Sequence, residues 1–361
     1  MRKVLFNLHL YGALIVGLFV VVIGVTGSIM VFEVGLDRLF NPKLYQVETQ
    51  GRQMPVSGLL AAAAKAYPGQ RINSVRLPQD ATDSARFGVR GPKQVFMNPY
   101  TGQILGERSP KTVLSTIHQL HQRLNMGENG ATIVTSVTAV LLFLVVSGIY
   151  LWWPQKRLKI KWNAASSWRL HFDIHNVVGF YSAFFLFLLG CTGIVIYFDN
   201  DIEQYLLRAS GTAKIAKNIP TVVRKGAGPI TPDQALQIAL AEMPGTKALS
   251  LSVPANPKAS YLVALHYPED LTPGGRSWAN VDQYSGKVAG FQNSRTAPMG
   301  TRAIIINRAI HTGDLFGMVT KVLMCVSGLM LITQAITGYF MWWKKLRARQ
   351  PGPMQRESVG V

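Results

Sequence analysis

Cysteine is nearly absent from this sequence, which has two in 361 residues. Cys191 and Cys325 both lie inside long apolar runs, so they read as small apolar residues and predict no extracytoplasmic disulfide framework. The sequence also lacks a G-x-G-x-x-G pattern, which argues against a nicotinamide or flavin domain within the chain. It lacks an H-E-x-x-H pattern too, which argues against a zinc peptidase.

Acidic residues are scarce as well. The chain has 18 Asp and Glu against 37 Lys and Arg, a formal net charge of +19. Basic patches bind phosphate, so nucleic-acid binding is one reading of this charge. Because the basic residues are dispersed and many flank apolar runs, we instead expect contact with anionic membrane lipids and no nucleic acid.

Long apolar runs are what the sequence has in quantity. Four of them reach the roughly 20 residues that a membrane-spanning helix needs, at roughly 8–33, 132–153, 173–198 and 317–343. The first run is too long for the apolar part of a signal peptide and no small-residue cleavage pattern follows it, so we expect a retained anchor.

Basic residues near the span ends predict the orientation. They lie at the N-terminus, between the second and third runs, and after the fourth run: Arg2, Lys3, Lys156, Arg157, Lys159, Lys161, Arg169, Lys344, Lys345, Arg347, Arg349 and Arg356. By the positive-inside rule, both termini and the central loop are cytoplasmic. The two large segments between the spans then lie on the outer side.

The chain reads as a duplication. From His9 to Gly27 is 18 residues, as from His175 to Gly193; from His121 to Gly148 is 27 residues, as from His311 to Gly338. The outer segments match as well, AKAYPG with LAEMPG and NPYTGQILG with DQYSGKVAG. Both halves enter the membrane in the same direction, so they are parallel repeats related by an axis along the membrane normal.

This organisation predicts an integral membrane α-helical protein with four transmembrane helices in two parallel repeats and two extracytoplasmic α+β domains. Thr231, Pro232 and Gln234 predict the start of the helix in the second outer domain. The predicted segments are span one (1–33), outer domain one (34–117), span two with an outer extension (118–153), a cytoplasmic loop (154–171), span three (172–198), outer domain two (199–308), span four (309–343) and a cytoplasmic tail (344–361).

Four of the seven histidines have a counterpart in the other half: His9 with His175 near the cytoplasmic side, and His121 with His311 near the outer side. Two imidazoles that meet across an axis can supply the two axial ligands of a haem iron. Histidines four apart on one helix lie on the same face and cannot sandwich one haem, so His171 and His175 are not a pair. Snorkelling to the headgroups is the alternative for these histidines, and ordinary helix packing is the alternative for the matched glycines.

The motifs together resemble the PepSY-associated transmembrane family, which includes bacterial inner-membrane ferric-siderophore reductases with b-type haem. The resemblance rests on four stretches: the H-x-x-G start and TG element of span one, LHQRLNMG before span two, DIHNVVG opening span three and IHTGDLFG opening span four. The Tyr-Thr-Gly and Tyr-Ser-Gly turns resemble those of PepSY strands.

The resemblance implies that His9, His175, His121 and His311 ligate the iron of two b-type haems. His118 and His171 are then candidates for a position near a haem propionate, with His118 as the alternative ligand. Lys321 is either a propionate partner or a residue that snorkels to the interface. The implied protein is a multi-pass inner-membrane oxidoreductase that passes electrons from a quinol or a separate flavoprotein to an extracytoplasmic ferric siderophore or other ferric chelate.

Two other readings compete with this one. PepSY domains also occur in protease propeptides, so the outer domains could bind or regulate a periplasmic peptidase, with the membrane part as an anchor. His171 and His175 could instead bind zinc in cis, although no Cys or H-E-x-x-H pattern lies near them. The peptidase reading leaves the four matched histidines unexplained.

Overall fold

The structure is a computed structural model that describes residues 1–89, 93–223, 226 and 228–348. In this part of the chain the helices are α1 Arg2–Met30, α2 Glu33–Phe40, α3 Pro42–Tyr45, α4 Val56–Ala66, α5 Val113–Arg123, α6 Gly127–Trp152, α7 Ser167–Tyr197, α8 Asp199–Ala209, α9 Pro232–Glu242, α10 Met299–Thr312 and α11 Met318–Arg347. The strands are β1 Ile72–Arg76, β2 Ala85–Val89, β3 Lys93–Met97, β4 Ile104–Arg108, β5 Lys247–Ser252, β6 Tyr261–His266, β7 Ser277–Val281 and β8 Val288–Gln292. Arg349 and Arg356 of the predicted tail lie outside the described residues.

Four helices, α1, α6, α7 and α11, are long and apolar enough to cross a membrane. Helix α1 packs against α6 and α11, and α7 packs against the same two helices, so α1 and α7 occupy opposite corners of the bundle. Large apolar side chains such as Ile15, Leu18 and Phe184 are exposed on its surface, where lipid would cover them. We call the side that carries the strands the sheet side, and the side with Met1 and the α6–α7 loop the terminal side.

The second and fourth predicted spans are each divided on the sheet side. Helix α5 ends at Arg123 and α6 begins at Gly127, because Leu124 and Asn125 both have left-handed backbone conformations. Helices α10 and α11 are separated in the same way at Gly313 and Gly317, which have φ angles of 74° and 62°. The sequence indicates a break at NMGENG (125–130) in the extended second span, and it predicts 309–343 as one span. His121 and His311 therefore lie on separate helices beside the spans.

The eight strands form one antiparallel sheet in the order β4-β3-β2-β1-β5-β6-β7-β8. The two predicted outer domains therefore share a sheet, because β1 pairs with β5 and neither keeps an open edge. Val75 and Leu251 are partners across that junction and both are fully buried. One apolar core runs beneath both α4 and α9.

Helices α4 and α9 are fixed to each other through the start of each helix. Thr231 caps α9 in a capping box with Gln234, as the sequence predicts. Asp233, in the first turn of α9, accepts hydrogen bonds from the backbone N–H of Val56 (2.7 Å) and Ser57 (3.0 Å) at the start of α4. A carboxylate at a helix N-terminus satisfies free N–H groups and favours the helix dipole, so the second half of the chain stabilises a helix of the first.

Candidate functional site

The four paired histidines lie at two levels of the bundle. His9 on α1 and His175 on α7 are near the terminal side, whereas His121 on α5 and His311 on α10 are near the sheet side. His121 contacts α1 beside Gly27, which is 18 residues along the helix from His9. At 1.5 Å per residue the two levels are about 27 Å apart along α1.

The sheet-side pair has the spacing of two ligands on one iron. The ring centroids of His121 and His311 are 6.4 Å apart, with an angle of 48° between the ring planes. Two imidazoles on opposite sides of one metal ion, each with a metal–nitrogen bond of about 2.0 Å, have ring centres roughly 6 Å apart. These side chains therefore fit an iron placed between them.

The terminal-side pair lines a cavity inside the four-helix bundle. All four spanning helices contribute to its wall. His9 and His175 enter from opposite corners, between small residues that leave room for a flat group: Ala13, Gly17, Gly148, Gly179 and Ala183. A mostly apolar lining with two polar side chains from different helices is typical of a cofactor site.

Each of the four imidazoles packs against a Ser-Gly or Thr-Gly dipeptide on a neighbouring helix. We call these dipeptides hydroxyl–glycine steps; they are Thr26-Gly27, Ser147-Gly148, Thr192-Gly193 and Thr337-Gly338. A Cβ atom added to the glycine would lie at the following distances from histidine Cε1: Gly27 2.7 Å from His121, Gly193 3.2 Å from His311, Gly148 3.3 Å from His9 and Gly338 3.5 Å from His175. Because glycine has no Cβ, these four positions leave room for the imidazole rings.

The hydroxyl of each step contacts Nδ1 of the same histidine. The Nδ1 to hydroxyl oxygen distances are 2.8 Å for His9 and Ser147, 2.9 Å for His175 and Thr337, 2.9 Å for His311 and Thr192, and 3.3 Å for His121 and Thr26. His121 Nδ1 has a second and nearer partner, the carbonyl oxygen of Ile23 at 2.9 Å. All four rings are held through the same nitrogen.

The direction of these hydrogen bonds fixes the tautomer. Each hydroxyl has one proton, which it donates to the carbonyl four residues earlier: Thr26 to Val22, Ser147 to Phe143, Thr192 to Leu188 and Thr337 to Thr333, at 2.6–2.7 Å. The hydroxyl oxygen then accepts from histidine, and a carbonyl such as that of Ile23 can only accept. We therefore assign the proton of every ring to Nδ1, which leaves the Nε2 lone pair free for a metal.

The four histidines and the four hydroxyl–glycine steps all lie within the part of the chain that matches a known family. The sequence matches the PepSY-associated TM region family over residues 6–345. The chain belongs to that family. No curated protein matches the sequence. Together with the four long apolar helices, membership identifies a multi-pass membrane protein.

In this PepSY-associated protein, His118 is within hydrogen-bond distance of a carboxylate. Its Nδ1 lies 3.0 Å from the carboxylate of Glu33 at the start of α2. Arg308, at the matching position of the second half, lies 3.2 Å from Asp199 at the start of α8. Each pair therefore ties the helix that carries a sheet-side histidine to the short helix that follows a span, one turn from the proposed ligand.

His171 and Lys321 also have protein partners in this family member. His171 Nδ1 is 2.7 Å from the carbonyl oxygen of Ser167, and its ring stacks on Phe340 with centroids 3.8 Å apart. Lys321 lies in the first turn of α11 and its Nζ is 2.9 Å from Asp314 in the α10–α11 link. Lys321 therefore sits at the sheet-side end of its helix with a carboxylate beside it.

Within the described ranges, no three His, Cys, Asp or Glu side chains are placed around a common point where they could hold one metal ion. A haem iron takes only two axial protein ligands, so that criterion does not bear on the histidine pairs. The cis zinc reading required His171 and His175 to act together. The structure instead gives them different partners, the Ser167 carbonyl and the Thr337 hydroxyl.

Sequence reasoning found the four histidines and the four glycines. It assigned no role to the Ser or Thr that precedes each glycine and contacts the histidine. The signal was present, because the residue before each matched glycine is Ser or Thr in all four spans. A hydroxyl inside an apolar helix normally bonds to its own backbone, and this ordinary explanation hid its second contact.

Proposed function

We propose that this protein is an oxidoreductase of the bacterial inner membrane that holds two b-type haems and passes electrons outward to a ferric chelate. His121 and His311 would hold one haem, and His9 and His175 the other. The observation that carries the proposal is the 6.4 Å spacing of the sheet-side rings, with Nε2 free on both. Histidine-ligated haem is a one-electron carrier, which suits reduction of Fe(III) to Fe(II).

The chain's own residues orient the proposed ligands and shape the space around them. The hydroxyl–glycine steps orient the imidazoles, and the apolar wall of the terminal-side cavity excludes water from one ligand pair. The pairs lie at opposite ends of α1, so together they bridge most of a hydrocarbon core about 30 Å thick. With both termini cytoplasmic, as the basic flanks predict, the sheet side is periplasmic and faces the chelate.

The donor must reach the cytoplasmic half of the protein from outside the chain. No nucleotide-binding fingerprint is present in the sequence, so we propose a membrane quinol or a separate flavoprotein. The substrate class on the other side is a ferric siderophore or a similar ferric chelate.

The full-length protein in detergent tests this function directly. We expect an oxidised spectrum with a Soret band that shifts on reduction with dithionite, and an α-band in the reduced form. When a ferric chelate is added without oxygen, the reduced bands should disappear while a ferrous chelator traps Fe(II) in equal amount. Absence of the bands in protein produced with sufficient haem would overturn the haem assignment and leave the peptidase-binding reading.

The hydroxyl–glycine steps should influence the reduction potential. In Thr192→Val, His311 loses the hydroxyl that accepts from Nδ1, so its ring becomes a weaker donor to Fe(III). We expect the potential of the sheet-side haem to rise by about 30–60 mV, the equivalent of a three- to tenfold change in equilibrium constant. A spectroelectrochemical titration measures this shift.

Thr26→Val is the matched control for that substitution. His121 keeps the carbonyl of Ile23 at 2.9 Å as its acceptor, whereas the Thr26 hydroxyl is 3.3 Å away. We expect a smaller shift in this variant. Equal shifts in both variants would contradict the assigned hydrogen bonds.

A further inference from the structure

One face of the sheet packs on α4 and α9; the other, which we call the polar face, carries arginine and serine side chains on β1, β2 and β5. Successive residues of a strand point to opposite faces, and Val75, Phe87, Leu251 and Val263 are buried against α4 and α9. The alternate positions of the two central strands and β2 therefore lie on the other face. They are Ser74, Arg76, Arg86, Ser250 and Ser252, a group that we call the arginine seam.

The segment that follows the membrane helix α1 packs on the polar face. Helices α2 and α3 follow α1 directly and pack on this face, where the ring of Tyr45 lies 5.2 Å from Phe96 and 5.3 Å from the Arg86 guanidinium. Four strands lie on each side of the β1–β5 junction, and the His121–His311 pair is formed by equivalent helices of the two halves. The arginine seam therefore lies at and beside the β1–β5 junction, on the face where the segment after α1 packs.

Two positive charges meet in the arginine seam. Arg76 and Arg86 are register partners on neighbouring strands, a position where like charges repel. Burial lowers the pKa of Arg86, and the neighbouring charge of Arg76 lowers it further. Arg76 is exposed and Arg86 half-buried, so the pair stays open to solvent.

The nearby carboxylates are engaged elsewhere. Asp37 takes a bidentate ion pair with Arg108 at 2.5 and 2.6 Å, and Asp83 pairs with Arg38 at 3.0 Å. In the described part of the chain, no carboxylate oxygen lies within 4.0 Å of the Arg76 or Arg86 guanidinium. The strands β1, β2, β5 and β6 contain no Asp or Glu at all.

Hydroxyl donors surround the two arginines. Ser250 is the register partner of Arg76 across the β1–β5 junction, and Ser74 is the partner of Ser252. All three serines are half-buried, and their hydroxyls make no side-chain hydrogen bond within the residues that the structure describes. The arginine seam thus presents two guanidinium groups and three hydroxyls, a set rich in donors and poor in acceptors.

We propose that the arginine seam binds the carboxylate groups of an anionic ferric chelate on the sheet side of the protein. The proposal rests on the proposed function and names its substrate class. A guanidinium binds a carboxylate through two parallel hydrogen bonds, which a neutral hydroxamate chelate cannot form. An anion between Arg76 and Arg86 would also remove their mutual repulsion.

Gallium(III) citrate provides a test that is independent of electron transfer, because Ga(III) resembles Fe(III) in charge and size and is not reduced. Isothermal titration calorimetry of the oxidised full-length protein should detect binding of gallium(III) citrate. A gallium(III) trihydroxamate chelate without carboxylates should bind at least tenfold more weakly. In Arg76→Gln/Arg86→Gln the affinity for the citrate chelate should fall about 100-fold, since each charge-assisted pair contributes roughly tenfold or more.

Two further variants separate the role of the arginines from general charge and folding. Arg86→Lys keeps the charge but loses the paired geometry, so we expect an intermediate affinity. Arg52→Gln removes an exposed arginine outside the seam and should bind as the parent protein does. Gel filtration of the detergent complex reports whether each variant is folded, with or without haem.

The outcomes are distinguishable. Citrate-chelate binding that is unchanged in Arg76→Gln/Arg86→Gln, in protein that keeps both haems, would overturn the seam proposal alone. Equal binding of inorganic phosphate and the chelate would also overturn it, because the site would then be a general anion site. A protein without haem that still binds the chelate through these arginines would overturn the proposed function and leave the seam.

Discussion

The His311→Ala protein is expected to bind one haem per chain instead of two. In the proposed arrangement His311 and His121 would hold one haem together, and the sheet-side rings are 6.4 Å apart with one free Nε2 each. With one imidazole removed, a single protein ligand would remain for that haem. The terminal-side pair is about 27 Å away along α1 and should keep its haem. The pyridine haemochrome assay per mole of protein measures the change.

The same stoichiometry is expected when a terminal-side ligand is removed in His175→Ala. His266→Ala is the control, because His266 lies on β6 beside Asp270 at 3.4 Å and belongs to neither pair. It should retain two haems. If His175→Ala also kept both haems, His9 and His175 would not share one. Loss of both haems from any single variant would point to unfolding, which gel filtration of the detergent complex detects.

Gly27→Ala should remove the sheet-side haem although the substitution adds a single methyl group. The new Cβ would lie 2.7 Å from Cε1 of His121, closer than two unbonded carbons can approach. The ring would have to turn away from the Ile23 carbonyl and the Thr26 hydroxyl, which hold it now. We expect about one haem per chain by the same assay, with the terminal-side spectrum retained.

Gly338→Ala makes the same chemical change at the equivalent step and should keep both haems. Its new Cβ would lie 3.5 Å from Cε1 of His175, an ordinary contact distance. Alanine generally stabilises a helix by roughly 0.5–1 kcal/mol relative to glycine, so neither variant should unfold through its backbone. Similar haem loss in both would show that packing of the helices, and not the space for the ring, requires these glycines.

The sequence alone predicted the features that rest on local pattern or on counting. Four apolar runs, the capping box at Thr231 and the matched histidine and glycine spacings are all readable one segment at a time. The family and the four spans are confirmed. The pairing of the histidines around haem stays a prediction.

Other features depend on residues that are distant in sequence or on unusual backbone. Leu124 and Asn125 adopt left-handed conformations without a glycine, so NMGENG (125–130) indicates a break in this region but not the residue at which α5 ends. The pairing of β1 with β5 joins residues about 176 positions apart, and strand alternation cannot reveal which edges meet. The Ser or Thr hydroxyl that contacts each histidine likewise lies on another helix.

The β1–β5 junction also determines how long the edge of β1 stays unpaired during synthesis. Residues 75 and 251 pair across it, and ribosomes add about 5–20 residues per second, so β1 waits roughly 10–35 s for its partner. Throughout that interval β1 presents an unpaired strand edge, and α4 lacks the carboxylate of Asp233 at its start. The nascent first half is thus open to pairing with a second chain until β5 has been synthesised.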